Sequence, residues 1–157
     1  VSGADHQEHA GTGHATKAGR VVNVHPGGSI MEYVAIVIVL ALLQYFVFGL
    51  LVGKARGEYK VAAPAITGHP VFERYYRVHQ NTLEMLVIFI PAIVLFGYWI
   101  RPDLGAGIGA VYLVGRIVYL RAYVSDPGTR SLGFGLSILP TLILLIGGGI
   151  AAVISLL

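Results

Sequence analysis

Apolar residues fill four long stretches of this chain, and short polar segments separate them. The first, YVAIVIVLALLQYFVFGLLVG from Tyr33 to Gly53, has Gln44 as its one polar interruption. As a helix rising ~1.5 Å per residue, about 21 residues cover ~30 Å, the hydrocarbon thickness of a bilayer. Lys54, Arg56 and Lys60 mark its interfacial end, and APAITGHP supplies the prolines and glycine of a loop. A second stretch starts near Pro70 or Val71 and ends near Ile100, with Pro91 inside it, where a bend is expected. RPDLGAG makes a tight connection to the third, IGAVYLVGRIVYLRAYV, which Arg116 and Arg121 interrupt. SDPGTR is a turn, and LGFGLSILPTLILLIGGGIAAVISLL is the fourth span. It carries Pro140, and Gly147 to Gly149 are small enough for close helix packing. The pattern predicts an all-α membrane protein, a bundle of four transmembrane helices.

Composition agrees with that pattern and narrows the chemistry. The chain is 55% hydrophobic and only 12% charged, with a mean hydropathy of +0.73, whereas soluble domains are about a quarter charged. It has no cysteine, which excludes disulfides, thiolate metal sites and a cysteine nucleophile. Any sulfur chemistry therefore comes from a ligand, and no metal site is assigned. The net charge of +3 is scattered along the chain, so no nucleic-acid patch is expected. Residues 1–30 are polar, rich in glycine and histidine, and without apolar period. They are read as a disordered tail appended before a natural start at Met31, leaving 31–157 as the membrane domain. His6, His9, His14 and His25 fall in that tail at irregular spacing and are read as solvated rather than metal-binding.

Four spans put both ends on one side. Lys54, Arg56 and Lys60 in the first loop and Arg121 and Arg130 about the third outnumber Arg101 in the second. By the positive-inside rule, loops one and three face the cytoplasm. The polar start of the second helix and the polar end of the third then lie at one depth.

The second helix opens with FERYYRVHQNTLEM, Phe72 to Met85. Arg74, Arg77, Asn81 and Glu84 follow a 3, 4, 3 spacing and share an arc of roughly 80°. Glu73 precedes Arg77 by one turn, the favoured order for an ion pair. On the third helix Arg116, Tyr119 and Tyr123 repeat the 3, 4 spacing while Arg121 points elsewhere. Taken singly, an arginine or tyrosine near a helix end is an ordinary interfacial anchor and Asn81 ordinary interhelical glue. Together Arg77, Asn81 and Glu84 extend ~10 Å along one face, deeper than a single snorkelling side chain explains. Ionisable groups at that depth point to a site. Arginines hold carboxylates bidentately, a glutamate receives an ammonium and an asparagine pairs with amides, so the inventory suits a small zwitterionic peptide with more than one carboxylate.

FERYYRVHQNTLE followed by VYLVGRIVYLRAYVSDPGTR resembles the MAPEG family, the membrane-associated proteins in eicosanoid and glutathione metabolism, over roughly Tyr33 to Leu157. The resemblance implies a homotrimer of four-helix protomers embedded in membrane lipid, with glutathione bound between protomers on the cytoplasmic side. It implies glutathione contacts for Arg77, Asn81 and Glu84, a carboxylate contact for Arg56, and pocket-lining roles for Tyr119 and Tyr123. His79 stands where relatives have glutamine or a similar polar residue and is a further candidate contact. Arg130, seven residues beyond Tyr123, falls where transferase members place the arginine that activates the thiol. Leukotriene-forming members have a second arginine where this chain has Gly57, and a tyrosine where it has Met85. The implied activity is glutathione transfer to lipophilic electrophiles, or glutathione-dependent peroxidase action, in a bacterial inner membrane or the endoplasmic reticulum. The alternative is a non-catalytic lipid-binding scaffold of the lipoxygenase-activating type, and a plain structural bundle is a third reading.

Overall fold

The computed structural model describes residues 31–157; the polar tail and its four histidines lie outside them. Four helices follow in order, α1 Met31–Glu58, α2 Pro70–Trp99, α3 Pro102–Ser125 and α4 Ser131–Ile154, with a 3-10 turn at Pro127–Thr129 before α4. Each is long and apolar enough to cross a membrane, and the described residues contain no strand. The chain is an integral, multi-pass membrane protein.

Two helices outrun their apolar stretches. α1 continues through Lys54 and Arg56 to Glu58, because backbone hydrogen bonding does not end where hydrophobicity does. α3 begins at Pro102, not near Ile108. Pro102 occupies the position where a missing N–H is harmless, and Asp103 sits in the first turn, where the helix dipole favours a carboxylate. The glycines of RPDLGAG are packing positions rather than loop: a β-carbon at Gly105 would stand 3.3 Å from Phe96, and one at Gly109 2.7 Å from Ile93.

The start of α2 is heavily secured. Pro70 opens the helix, and His69 Nδ1 accepts a hydrogen bond from the Val71 amide at 3.3 Å. The expected Glu73–Arg77 pair does not form. Glu73 accepts from the Gly68 amide at 2.9 Å instead, tying the preceding loop to the helix. Both α2 and α4 run unbroken through their internal prolines, Pro91 and Pro140.

The main core joins Val34, Val37 and Ala41 of α1, Met85, Leu86, Phe89, Ile93 and Phe96 of α2, Tyr112 of α3 and Leu144 of α4. Phe89 and Tyr112 stack with centroids 3.8 Å apart. α3 and α4 touch almost backbone to backbone. A β-carbon at Gly115 would lie 2.6 Å from the Leu136 carbonyl carbon, and one at Gly133 2.3 Å from the Tyr119 nitrogen. Lower in the bundle Gly147 and Gly148 press on Phe96 as close packing requires, whereas Gly149 meets nothing within 4 Å. Gly135 likewise faces open space. Gly135→Ala is therefore expected to melt at or above the wild-type temperature in detergent, since alanine in a helix is favoured over glycine by up to ~1 kcal/mol.

Candidate functional site

The polar ends of α2 and α3 meet. Arg74 Nη1 donates to the carbonyls of Val124 and Ser125, both at 3.0 Å, satisfying the last turn of α3. Arg74 thus fastens two helices and does not join the polar groups further along its face. Beside this clasp a groove of about 480 Å³ opens, lined by Arg77 and Asn81 of α2, Tyr119 and Tyr123 of α3, Arg130, and Ser131, Phe134 and Gly135 of α4. Its volume is within the usual ~300–1,000 Å³ of small-molecule sites. An adjoining groove of about 470 Å³, reaching Ile66 and Thr67 of the first loop, shares Arg77 and Tyr123 with it.

Each wall is held by a local device. Tyr119 is buried and Tyr123 packs beside it, ring centroids 5.4 Å apart. Gly133 lets Tyr119 sit directly against the backbone of α4. The turn SDPGTR is a mount for Arg130: Asp126 Oδ1 accepts from the Gly128 amide at 2.9 Å, and Thr129 Oγ1 donates to the Asp126 carbonyl at 2.8 Å. Arg130 Nη1 donates to the Pro127 carbonyl at 2.7 Å, and its guanidinium carbon stands 5.7 Å from the Tyr123 ring centre. This leaves the other guanidinium N–H groups available at the groove. Arg77 is exposed, and no protein atom among the described residues accepts a hydrogen bond from its side chain.

Asn81 is the most constrained member. Its Oδ1 accepts from Arg116 Nη1 at 3.1 Å, and its Nδ2 faces Glu84 Oε2 at 3.4 Å. A guanidinium only donates, so the amide oxygen must point inward to Arg116 and the NH₂ outward. Thr82, fully buried one residue on, gives its proton to the Val78 carbonyl at 2.7 Å and accepts from Arg116 Nη2 at 2.7 Å.

Of the eight residues assigned to ligand from the sequence, Arg77, Asn81, Tyr119, Tyr123 and Arg130 line one groove. Glu84 adjoins it through Asn81 and is otherwise exposed. His79 is elsewhere, stacked on Tyr45 of α1 at 4.3 Å with Gly49 beneath it. Arg56 is also apart. Its Nη1 donates to the carbonyls of Val61, Ala62 and Ala65 at 3.2, 3.3 and 2.8 Å, and its guanidinium lies 4.7 Å over Phe72. Ser131, Phe134 and Gly135 belong to no quoted motif, yet with Arg130 they form a 1, 3, 1 spacing that marks one helical face.

The chain is similar to known proteins. The MAPEG family model matches residues 34–150. Microsomal glutathione S-transferase 2 of Homo sapiens is 42% identical over 127 residues, 80% of this chain and 85% of that protein. A protein of Synechocystis sp. named "Uncharacterized protein sll1147" is 42% identical over 113 residues, 72% of this chain and 82% of its own length. Leukotriene C4 synthase of Bos taurus is 34% identical over 96 residues, 61% of this chain and 64% of its own. With the four spans, the α2–α3 polar groove and a family match running from the first helix into the last, this chain belongs to the MAPEG family.

Proposed function

We propose that this protein is an integral-membrane glutathione transferase. The observation that carries the reading is the convergence of Arg77, Asn81, Tyr119, Tyr123 and Arg130 on one groove at the polar end of the bundle. The kinship with proteins named microsomal glutathione S-transferase 2 supports it.

In this reading Arg77 and the outward NH₂ of Asn81 hold carboxylate and amide oxygens of glutathione, and Glu84 receives its ammonium. Tyr119 and Tyr123 wall the tripeptide. Arg130 reaches the sulfur, where a guanidinium that keeps its proton stabilises thiolate over thiol. The thiolate sulfur attacks the electrophilic carbon of a lipophilic substrate arriving from the membrane. A carbon–sulfur bond forms, and a leaving group such as halide departs with the bonding pair. The same thiolate could attack a lipid hydroperoxide, two glutathiones and one hydroperoxide giving disulfide, alcohol and water. Gly57 and Met85 disfavour a leukotriene substrate.

Glu84 lies ~21 Å along α2 from Pro70, inside the span, yet is exposed on the single chain. A carboxylate at that depth requires water or protein opposite it. We read this face as the contact of a homotrimer, with glutathione between protomers on the cytoplasmic side. Arg56, remote from its own protomer's groove, then serves a neighbour's, and His79 lies near the shared boundary. The membrane is a bacterial inner membrane or the endoplasmic reticulum.

Purified protein is expected to bind glutathione in calorimetry and to conjugate it to a chromogenic aryl halide. Binding without turnover on any electrophile would favour the lipid-binding scaffold. No binding would remove the transferase reading. Glu84→Gln is expected to weaken glutathione about 10- to 100-fold, the range for hydrogen bonds to charged groups, with the size of the side chain unchanged.

A further inference from the structure

Arg116 is fully buried, and it is a cation without an anion. Among the described residues the one ion pair joins Arg101 to Asp103, at the start of α3. The partners of Arg116 are neutral: Asn81 Oδ1, Thr82 Oγ1, and the face of Tyr119 at 4.4 Å from its guanidinium carbon. Its Nε is buried with no acceptor at all. Burying a charge is costly unless it is compensated, and here neutral partners alone receive it.

The position of this charge suggests its use. Asn81 and Tyr119, which touch Arg116, both line the groove, so the guanidinium lies directly beneath the floor. Charges nearby are Arg77 and Glu84 on α2 and Arg130 before α4, and the titratable neighbours on α3 are Tyr112, Tyr119 and Tyr123. Arg77 and Arg130 are exposed at the groove and Glu84 lies beside it, whereas Arg116 is enclosed by protein, where screening by water and salt is weakest.

We propose that Arg116 is a buried, uncompensated cation that electrostatically favours the ionised sulfur of the thiol held in the groove above it, adding from below to what Arg130 does at the rim. This rests on the glutathione reading. Arg116 touches no substrate; it acts through space and by holding the Asn81 amide with its donors outward.

Thr82 allows the charge to be neutralised without altering any groove residue. Thr82→Asp is similar in volume and brings a carboxylate beside the Arg116 guanidinium, which now donates to the hydroxyl at 2.7 Å. Thr82→Val removes that hydrogen bond and keeps the charge. The measurement is the pH midpoint of the ultraviolet thiolate band of bound glutathione. Thr82→Asp is expected to raise it by about one unit, a tenfold loss of thiolate at fixed pH below the midpoint, and Thr82→Val to leave it within a few tenths. Arg116→Lys should keep the wild-type midpoint and Arg116→Met should raise it, which secures the test if the aspartate variant does not fold. A wild-type midpoint in Thr82→Asp or in Arg116→Met overturns this inference alone. Bound glutathione without a thiolate band in the wild type overturns it together with the transferase reading.

Discussion

Arg130→Ala is expected to lower the conjugation rate at pH 7 by about 10- to 30-fold, the most that a fall to a few per cent thiolate allows, while weakening glutathione binding by less than about tenfold. A thiol with an ordinary pKa near 8.5 is only a few per cent ionised at neutrality, and thiolate is the nucleophile. One opposite charge at contact distance lowers such a pKa by about 1 to 3 units, and removing it returns the sulfur toward its ordinary value. Arg130 is mounted to supply that charge, because the Pro127 carbonyl and the Asp126-capped turn hold it at the groove mouth while using only Nη1. The sign fixes the pH dependence. A lost cation raises the thiol pKa, so the deficit is largest below the wild-type midpoint and narrows above about pH 9, where the thiol ionises unaided. Arg130→Lys should recover part of the rate, keeping charge but losing the planar fork. Rates for wild type and Arg130→Ala that coincide across the pH range would remove Arg130 from the chemistry.

The second large effect is structural. Gly133→Ala is expected to destabilise the bundle by about 2–4 kcal/mol, at or beyond the upper end of ordinary overpacking, because its methyl would meet backbone rather than a movable side chain. The new β-carbon would stand 2.3 Å from the Tyr119 nitrogen and 2.5 Å from its α-carbon. α3 and α4 must separate there, and the separation carries Tyr119 away from the groove it lines. Melting in detergent should show the loss, and glutathione affinity should fall with it. Gly135, two residues further on but facing open space, is the internal control for melting; it lines the groove, so it does not serve as one for affinity. A Gly133→Ala protein with the wild-type melting temperature would mean that the helices are not locked at this crossing.

Much of this architecture was legible from hydrophobic pattern. Spans of bilayer length follow from runs such as Tyr33 to Gly53, since a chain in lipid must satisfy its backbone internally and a helix does so. The 3, 4 spacing of Arg77, Asn81 and Glu84 likewise fixes one face before any fold is known. Helix ends were less legible. RPDLGAG reads as a connection because glycine and proline usually punctuate, yet Pro102 begins α3, and Gly105 and Gly109 are contact points for Phe96 and Ile93. Glu73 and Arg77 sit at pairing distance along the sequence, but the Gly68 amide, left bare by the loop, claims the carboxylate.

What the sequence determined by itself is therefore one-dimensional: four apolar helices, the family motifs, and which side chains share a helical face. It could not assign partners across helices. Arg74, Arg77 and Arg116 read alike as polar interruptions, and only packing separated them into a clasp on the end of α3, a free cation in the groove and a sealed cation beneath it. Periodicity fixes direction about one helix axis, whereas burial and hydrogen bonding depend on the rotation and depth at which a second helix docks. Between α3 and α4 that docking is set by where Gly115 and Gly133 allow backbones to touch.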